Sequence, residues 1–428
     1  MRSWLAAIGV LVLALGSETS LTMARVDPPQ SLSSLVFQYL DSADSEEAER
    51  FLELLLNHPD TSVERVTRII ETERTYDVQP IGTIANEGVR VEGQIYAVAL
   101  SIPLTYRSAN GYALVVCLHG AGFTGDVYLE RWQARLGEEY LLACPTYPSG
   151  AWFTRRAEEV VLATIEHVRR RYHVDPDRIF LTGMSNGGIG AWLIGMHYAP
   201  LFAGVAPMAG GLDDVLMPFL ANLRNTPIYM IHGEKDQVMP VSLSRSIARE
   251  LTALGYSHVY REHQGEHPVA GGHYFPREEL PALRTWLDRQ RRDPAPPKLS
   301  LVREASRFHP FSWVRVDATD VIAAFSDDLI DKRDQRINRR EYANLEAGIV
   351  GPNRIEVRTK HIQRYSLFLN DRLIDTAKPV SIWTNGQLSY DGPVTASLEI
   401  LLRQARLRHD PRQLFPIHLP VLVPKQAS

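Results

Sequence analysis

The sequence predicts an α/β fold, in which a mostly parallel sheet carries helices on both of its faces. Apolar runs of strand length include residues 114–118, which lead into the glycine-containing loop 119–122, and residues 226–233, which lead into the charged segment 234–236. The long segment 155–172 stands between such runs, and its apolar residues fall on one face at helical spacing. Strands that alternate with helices in this way are typical of a parallel sheet.

The first 24 residues are predicted to be a signal peptide. Arg2 precedes an apolar stretch, residues 4–16, that is short for a membrane span, and Ala24 offers a small-residue cleavage site. A cut near Gly16 or Ser17 is the alternative. We therefore expect a secreted or periplasmic protein with no stable membrane insertion after signal removal. An uncleaved N-terminal membrane anchor is the alternative.

A helical N-terminal segment is predicted for residues 25–80. Apolar side chains repeat at helical spacing between residues 31 and 76, and we expect a helical layer appended to the rest of the chain. The parallel sheet and its helices, the predicted catalytic domain, occupy residues 81–293. That domain begins with alternating, glycine-punctuated strands over residues 81–108.

A β-rich accessory domain is predicted for residues 298–428, after the proline-rich linker 293–297. Segments such as 365–369 alternate with period two, and Asn385-Gly386 suits the type I′ turn of a hairpin. Two interpretations remain open. This part is either an independent module that positions larger substrates or a partner, or a set of strands that covers an apolar flank of the catalytic domain.

A G-x-S-x-G element, formed by Gly183, Ser185 and Gly187, directly follows the apolar run 178–182. A serine in a sharp turn between strand and helix has a strained backbone, so only small residues fit two positions before and after it. The segment after it can form a helix, whose positive N-terminal end would face an anion beside the serine. Ser185 is therefore the candidate nucleophile.

The acid and the base that a serine nucleophile needs follow in the chain order Asp, then His. Asp236 comes just past a predicted strand, and His273 lies in the glycine-rich loop 269–275. His273 would take the proton of Ser185 while Asp236 holds its other nitrogen. Five nearby residues are rivals for these roles: Asp213, Asp214 and Glu234 for the acid, and His263 and His267 for the base.

Backbone N–H groups that could bind an oxyanion are expected at two places. One is Asn186, the residue after the nucleophile. The other is the loop that begins at His119, because its glycines let the backbone approach a substrate closely. Ala121 is the first choice for this second donor and Gly122 is the next. His119, like His232 at the end of its strand, is expected to have a structural role.

Together these motifs resemble those of the α/β-hydrolase superfamily. The segments that carry the resemblance are residues 118–122, 174–188, 232–236 and 271–273, and it covers about residues 85–290. The chain looks most similar to the carboxylesterase, feruloyl-esterase and polyhydroxybutyrate-depolymerase-like group, which is related to prolyl-oligopeptidase-type catalytic domains. The resemblance implies an α/β-hydrolase fold and a serine nucleophile. It does not name a substrate, because this fold hosts many chemistries.

The composition is that of a soluble globular protein, with 45% hydrophobic and 22% charged residues and a net charge of −4. No basic excess indicates a nucleic-acid partner. Pro268 beside His263 and His267 argues against a helical metal site, and neither metal nor cofactor is expected. Cys117 and Cys144 lie in predicted neighbouring strands, where a disulfide and two buried free thiols are equally open.

These residues predict an exported serine hydrolase that cleaves carboxylic esters through a Ser-His-Asp triad and an acyl-enzyme. The expected substrate is a small-molecule or polymer-linked ester. Tyr128 and Trp152 are the candidate pocket residues, with ordinary core aromatics as the alternative. Two other functions remain open: a serine peptidase of prolyl-oligopeptidase type, and a non-catalytic binding protein on a hydrolase scaffold. The sequence carries no signal for an oligomeric state.

Overall fold

Three helices open the computed structural model, which describes residues 31–326 and 334–425. They are α1 (Leu32–Asp41), α2 (Ser45–Asn57) and α3 (Val63–Thr72). Each has a serine or aspartate cap whose side-chain oxygen accepts a hydrogen bond from an N-terminal amide. Their apolar faces pack on one another and on a helix near the C-terminus. The predicted signal peptide, residues 1–24, lies outside the described residues.

An eight-stranded sheet forms the centre of the chain. In chain order its strands are β1 (Gly82–Val91), β2 (Gln94–Ile102), β3 (Tyr112–Leu118), β4 (Leu141–Pro145), β5 (Val174–Met184), β6 (Gly204–Met208), β7 (Ile228–Gly233) and β8 (His258–His263). Their spatial order is β1-β2-β4-β3-β5-β6-β7-β8. The first two strands pair antiparallel, and the other six run parallel to one another. The mostly parallel sheet predicted from the sequence is confirmed.

Five helices cover the two faces of this sheet: α4 (Gly125–Leu136), α5 (Arg155–Arg171), α6 (Asn186–His197), α7 (Val241–Leu254) and α8 (Leu280–Arg289). Helices α5, α6 and α7 bury apolar side chains against one face, and α4 and α8 against the other. In α5, Val161, Ile165 and Val168 are buried, as their helical spacing predicts. The α/β class with helices on both faces is therefore confirmed.

The C-terminal part of the chain is rich in β structure, as predicted. In chain order its elements are β9 (Lys298–Arg303), β10 (Val314–Thr319), α9 (Gln335–Asn338), β11 (Ala343–Gly351), β12 (Arg354–Lys360), β13 (Ile362–Leu369), β14 (Val380–Thr384), β15 (Gln387–Gly392), α10 (Leu398–Arg408) and β16 (Ile417–Leu422). One sheet has the strand order β15-β14-β12-β11-β9, and a second has the order β10-β13-β16. Asn385 and Gly386 have φ values of 52° and 81°, the left-handed conformation that a type I′ turn needs.

The C-terminal part shares its apolar core with the parallel-sheet part. One continuous cluster of buried apolar residues spans both, and the ring centroids of Phe219 and Tyr342 lie 4.8 Å apart across the boundary. The buried Arg307 pairs with Glu158 of α5 at 3.0 Å and with Glu304 at 2.8 Å. These contacts favour the interpretation in which the C-terminal strands cover an apolar flank. The domain boundaries themselves stay predictions.

Candidate active site

Ser185 stands between β5 and α6, where the chain turns sharply. Its backbone has φ 59° and ψ −123°, a strained conformation for a residue with a side chain. A Cβ atom on Gly183 would lie 2.2 Å from the carbonyl oxygen of Gly187, and one on Gly187 would lie 2.1 Å from that of Leu118. Only glycine fits at these two positions. The turn therefore holds Ser185 at the edge of the sheet where the parallel strands end.

The loop after β3 packs directly against this serine. A Cβ atom on Gly120 would lie 3.7 Å from Ser185 Cβ, and Gly122 has φ 77°. Among residues 31–326 and 334–425, the N–H groups of Ala121 and Asn186 have no hydrogen-bond acceptor. Asn186 is also the first residue of α6, so its amide belongs to the positive end of that helix. The two amides suit the binding of an oxyanion formed beside Ser185.

His119 fixes the backbone of this loop through two hydrogen bonds. Its Nδ1–H donates to the carbonyl oxygen of Gly120 at 2.9 Å, and its Nε2 accepts the backbone N–H of Tyr147 at 3.1 Å. Both contacts are satisfied by one neutral tautomer. Burial lowers the pKa of His119, which keeps the ring in that neutral form. Its contacts are those of a residue that positions the loop backbone.

Asp236 and His273 meet in a short hydrogen bond. His273 Nδ1 lies 2.7 Å from Asp236 Oδ2, and the two side chains are 11% and 0% exposed. The other carboxylate oxygen, Oδ1, accepts the backbone N–H groups of Val238 and Met239 at 2.8 Å each. The carboxylate is thus fixed by donors on both oxygens. His273 is left with Nε2 free to act on a proton.

A second histidine contacts the same carboxylate. His232 Nε2 lies 3.2 Å from Asp236 Oδ2 and 2.9 Å from the carbonyl oxygen of Met239, so this nitrogen carries the proton. Its Nδ1 lies 2.7 Å from Ser244 Oγ, which donates to it. Burial lowers the pKa of His232, and the ring is neutral. The sequence alone predicted only a buried structural histidine at this position.

Backbone contacts join the three candidate catalytic residues at one edge of the sheet. The N–H of Ser185 donates to the carbonyl oxygen of Met208, which ends β6, and Ala209 then donates to Ile231 in β7. The His273 loop packs on the end of β7, since a Cβ atom on Gly233 would lie 2.1 Å from the carbonyl oxygen of Gly272. In the described part of the chain, no hydrogen bond joins Ser185 Oγ to His273. That contact stays a prediction.

Comparison with known proteins agrees with this fold. Residues 149–272 match the Dienelactone hydrolase family. The chain is 32% identical over 129 residues to "Acyl-protein thioesterase 1" of Gibberella zeae, across 29% of this chain and 51% of that protein. It is 29% identical over 171 residues to "Probable feruloyl esterase C" of Aspergillus terreus, across 37% of this chain and 61% of that protein. This chain thus spans about half to three fifths of the length of these two relatives.

Among solved structures, the chain is similar to one described as "Crystal Structure of a Thermostable Esterase". The two are 26% identical with a TM-score of 0.40, and the similarity covers 49% of this chain and 63% of the other. The family match contains both Ser185 and Asp236 and ends one residue before His273. Together with the order of the sheet and the strained turn, this match indicates the class of the fold. The chain has an α/β-hydrolase fold and is similar to esterases. The resemblance predicted from its motifs is confirmed.

The rival residues of this hydrolase have other partners. Asp213 accepts the N–H of Val215 at 3.3 Å, Asp214 pairs with Arg340 at 3.3 Å, Glu234 lies 4.0 Å from Arg245, His263 Nε2 lies 3.1 Å from the carbonyl oxygen of Tyr274, and His267 Nδ1 accepts the N–H of Val269 at 3.3 Å. The acid and base that the structure brings together are Asp236 and His273.

The candidate pocket aromatics lie under the loop that begins at His119. Tyr128 and Trp152 are 3% and 0% exposed, and their rings lie 6.5 and 5.0 Å from that of His119. Their role in binding substrate stays a prediction. Phe123, which was not among the predicted pocket residues, is 38% exposed and lies 3.8 Å from the Cβ position of Gly120. Its position directly after the glycine-containing loop indicates in the sequence that it lies close to the site.

The two cysteines of the hydrolase are free thiols in this structure. Cys117 and Cys144 are buried on the adjacent strands β3 and β4. Burial, with Cys144 beside it, raises the pKa of the Cys117 thiol, so this thiol is unreactive. No helix within the described ranges is long and apolar enough to cross a membrane. In the same part of the chain, no group of three or more His, Cys, Asp or Glu side chains is placed to hold a metal ion.

Proposed function

We propose that this α/β-hydrolase cleaves carboxylic esters through Ser185, His273 and Asp236. The observation that carries the proposal is the 2.7 Å contact between His273 and the buried Asp236, at the edge of the sheet where the strained turn holds Ser185. The names of the relatives support it, since one is a thioesterase and another a feruloyl esterase. Thioesters and esters both yield to a serine nucleophile that forms an acyl-enzyme.

The proposed reaction assigns one task to each group. His273 Nε2 removes the proton of Ser185 Oγ as that oxygen attacks the ester carbonyl, and Asp236 stabilises the imidazolium that forms. The N–H groups of Asn186 and Ala121, with Gly122 next in order, bind the oxyanion. His273 then gives its proton to the leaving alcohol. Water, activated by the same ring, releases the acid from Ser185.

The proposed substrate is a small-molecule or polymer-linked ester, cleaved outside the cytoplasm. The polymer proposal draws on a further relative, 30% identical over 114 residues, whose name is "Poly(3-hydroxyalkanoate) depolymerase C" of Paucimonas lemoignei. The proposal of export rests on the signal-peptide pattern in residues 1–24. Expression of the full chain with its own N-terminus tests it, because export predicts a mature protein that begins after Ala24.

The function is tested by turnover of two substrate classes. The full chain and Ser185→Ala are assayed on a p-nitrophenyl ester and on a peptide p-nitroanilide of matched acyl group. We expect the wild type to cleave the ester and not the anilide, and the variant to lose several orders of magnitude in kcat/KM with unchanged melting. Faster cleavage of the anilide would favour the peptidase alternative. Absence of any turnover would favour the non-catalytic binding protein.

A further inference from the structure

A cavity of about 340 Å³ lies between the parallel-sheet part and the C-terminal part of the chain. Helix α6 begins beside Ser185 and ends at His197, which lines this cavity, so about 18 Å of helix separates the two sites. None of the proposed catalytic residues lines the cavity. Its volume falls in the range of roughly 300–1,000 Å³ typical of small-molecule sites. We call it the interdomain cavity.

The walls of the interdomain cavity are largely apolar. Leu162 and Ile165 come from α5, Leu201 follows α6, Phe311 belongs to the C-terminal part, and Leu407 comes from α10. Leu407 is 56% exposed, which places it where the cavity meets solvent. An apolar chain that entered this cavity would pack against these five apolar side chains, which come from both parts of the protein. Its apolar surface would then be removed from water, which favours binding.

Two arginines that line the same cavity have no carboxylate partner. Arg408 donates to the carbonyl oxygen of Ser312 at 2.6 Å and to the amide oxygens of Gln404 and Gln413, while its buried Nη2 has no partner among the described residues. Burial lowers the pKa of Arg408 to about 9, as expected of a guanidinium without a paired anion. Arg169, in the same described part, makes no hydrogen bond or ion pair.

The two carboxylates that line the cavity form their direct ion pairs with other arginines, and Arg292 is shared with Asp177. Asp410 accepts two hydrogen bonds from Arg292, at 2.5 and 3.2 Å. Glu166 accepts one from Arg170 at 2.6 Å. Arg169 and Arg408 therefore form no direct ion pair within the described residues, although the charge of Asp410 acts on both and the rings of Phe368 and Phe415 face the Arg408 guanidinium. A guanidinium at an apolar wall without a direct anionic partner is costly, and a bound anion would offset that cost.

We propose that the interdomain cavity binds a monocarboxylate with an apolar chain. The carboxylate would accept hydrogen bonds from Arg169, since a planar guanidinium matches a carboxylate, and Arg408 would add positive charge from the cavity wall. The chain would lie against Leu162, Ile165 and Leu407. A monoanion fits better than a phosphate dianion, because Glu166 and Asp410 also line the cavity and would repel the second charge. This site is separate from the proposed catalytic residues and does not depend on their function.

Decanoate, kept below the concentration at which it forms micelles, is the probe. Isothermal titration calorimetry on the full chain should give a saturable one-to-one isotherm, and Tm should rise with decanoate concentration. Arg169→Gln should weaken binding about tenfold or more, because a charge-assisted hydrogen bond is lost. Leu407→Asp should weaken it similarly by placing a negative charge at the mouth. Both residues reach solvent, so both variants are expected to fold.

Two matched controls separate the site from general charge effects. Arg403→Gln is the control for Arg169→Gln: Arg403 lies on α10, the helix of Leu407, but its side chain is bound to Glu49 and Glu399. Leu388→Asp is the control for Leu407→Asp and changes a similarly exposed leucine of β15. Both controls should bind decanoate as the wild type does. The proposal is overturned by absence of binding, or by equal affinity in Arg169→Gln and the wild type. Loss of binding after fluorophosphonate treatment would also overturn it, because decanoate would then bind at the catalytic serine. Tighter binding of decyl phosphate than of decanoate would contradict the assignment of the site to a carboxylate.

Discussion

The contact between His232 and Asp236 provides the most informative substitution in the proposed active site. His232→Phe keeps a flat ring but removes the N–H that lies 3.2 Å from Asp236 Oδ2. The same oxygen binds His273 at 2.7 Å. The variant leaves that oxygen with one donor fewer, while Val238 and Met239 continue to hold the other oxygen. The carboxylate stays in place, but fewer hydrogen-bond donors stabilise its negative charge.

The size and direction of the effect follow from this geometry. A contact of 3.2 Å is long, and His232 shares its N–H with the carbonyl oxygen of Met239 at 2.9 Å. We therefore take the low end for a hydrogen bond to a charged group, about 1.5 kcal/mol, which corresponds to a shift of about one pH unit in the acid limb and so to a fall of up to about tenfold in kcat/KM on the acid side. With fewer donors, the carboxylate stabilises the imidazolium of His273 more strongly. Because attack needs the neutral ring, the acid limb of the pH–activity profile should move to higher pH.

The assay is kcat/KM on a p-nitrophenyl ester from about pH 5 to about pH 9, where an imidazole changes charge. His232→Gln restores an N–H donor and should recover most of the activity. Ser244→Ala removes the partner of Nδ1, at 2.7 Å, and the contact of Ser244 Oγ with the carbonyl oxygen of Gly210, but it keeps the donor to Asp236 and should shift the profile less. If His232→Phe had the pH–activity profile of the wild type, the proposed role of the contact between His232 and Asp236 would be wrong. It would also be wrong if His232→Phe melted at a lower temperature but kept the kcat/KM of the wild type.

Three further predictions follow from the same structure. His273→Ala should lower ester turnover about as much as Ser185→Ala, whereas His267→Ala should be mild; the opposite ranking in kinetic assays would move the base. A chain ended at Pro294 should aggregate or lose its cooperative melting transition, because the C-terminal strands share the apolar core; a stable, active fragment would restore the independent-module interpretation. Burial alone would raise the pKa of Glu158, but its hydrogen-bonded partners hold it at about 2, so it stabilises the fold above about pH 4.5 and this contribution is lost as pH falls towards 2. Tm measured against pH should show that decline, and Glu158→Gln should flatten it.

The sharp turn at Ser185 could be predicted from the sequence because its requirements are local. A serine between strand and helix needs small residues two positions away, and Gly183 and Gly187 show that need in the chain itself. Asp236 and His273 could be proposed from their chain order and from the strand ends before them. The mostly parallel sheet followed from strand-length apolar runs that alternate with helical segments.

The remaining features depend on contacts that no local pattern contains. The sequence shows that His232 ends a buried strand, but its contact with Asp236 depends on how the intervening loop folds back. Period-two alternation after residue 297 shows that one side of each strand is buried. It does not show that Tyr342 packs on Phe219 of the parallel-sheet part. The unpaired charges of Arg169 and Arg408 likewise appear only when three segments meet in space.

The most direct test of the proposed mechanism is the site at which a fluorophosphonate becomes attached. The full chain is treated with the probe, digested, and mapped by mass spectrometry, with Ser185→Ala as the control. We expect one adduct on the peptide that contains Ser185, loss of ester turnover in proportion to labelling, and no adduct in the variant. An adduct on another residue, or labelling that survives Ser185→Ala, would contradict it.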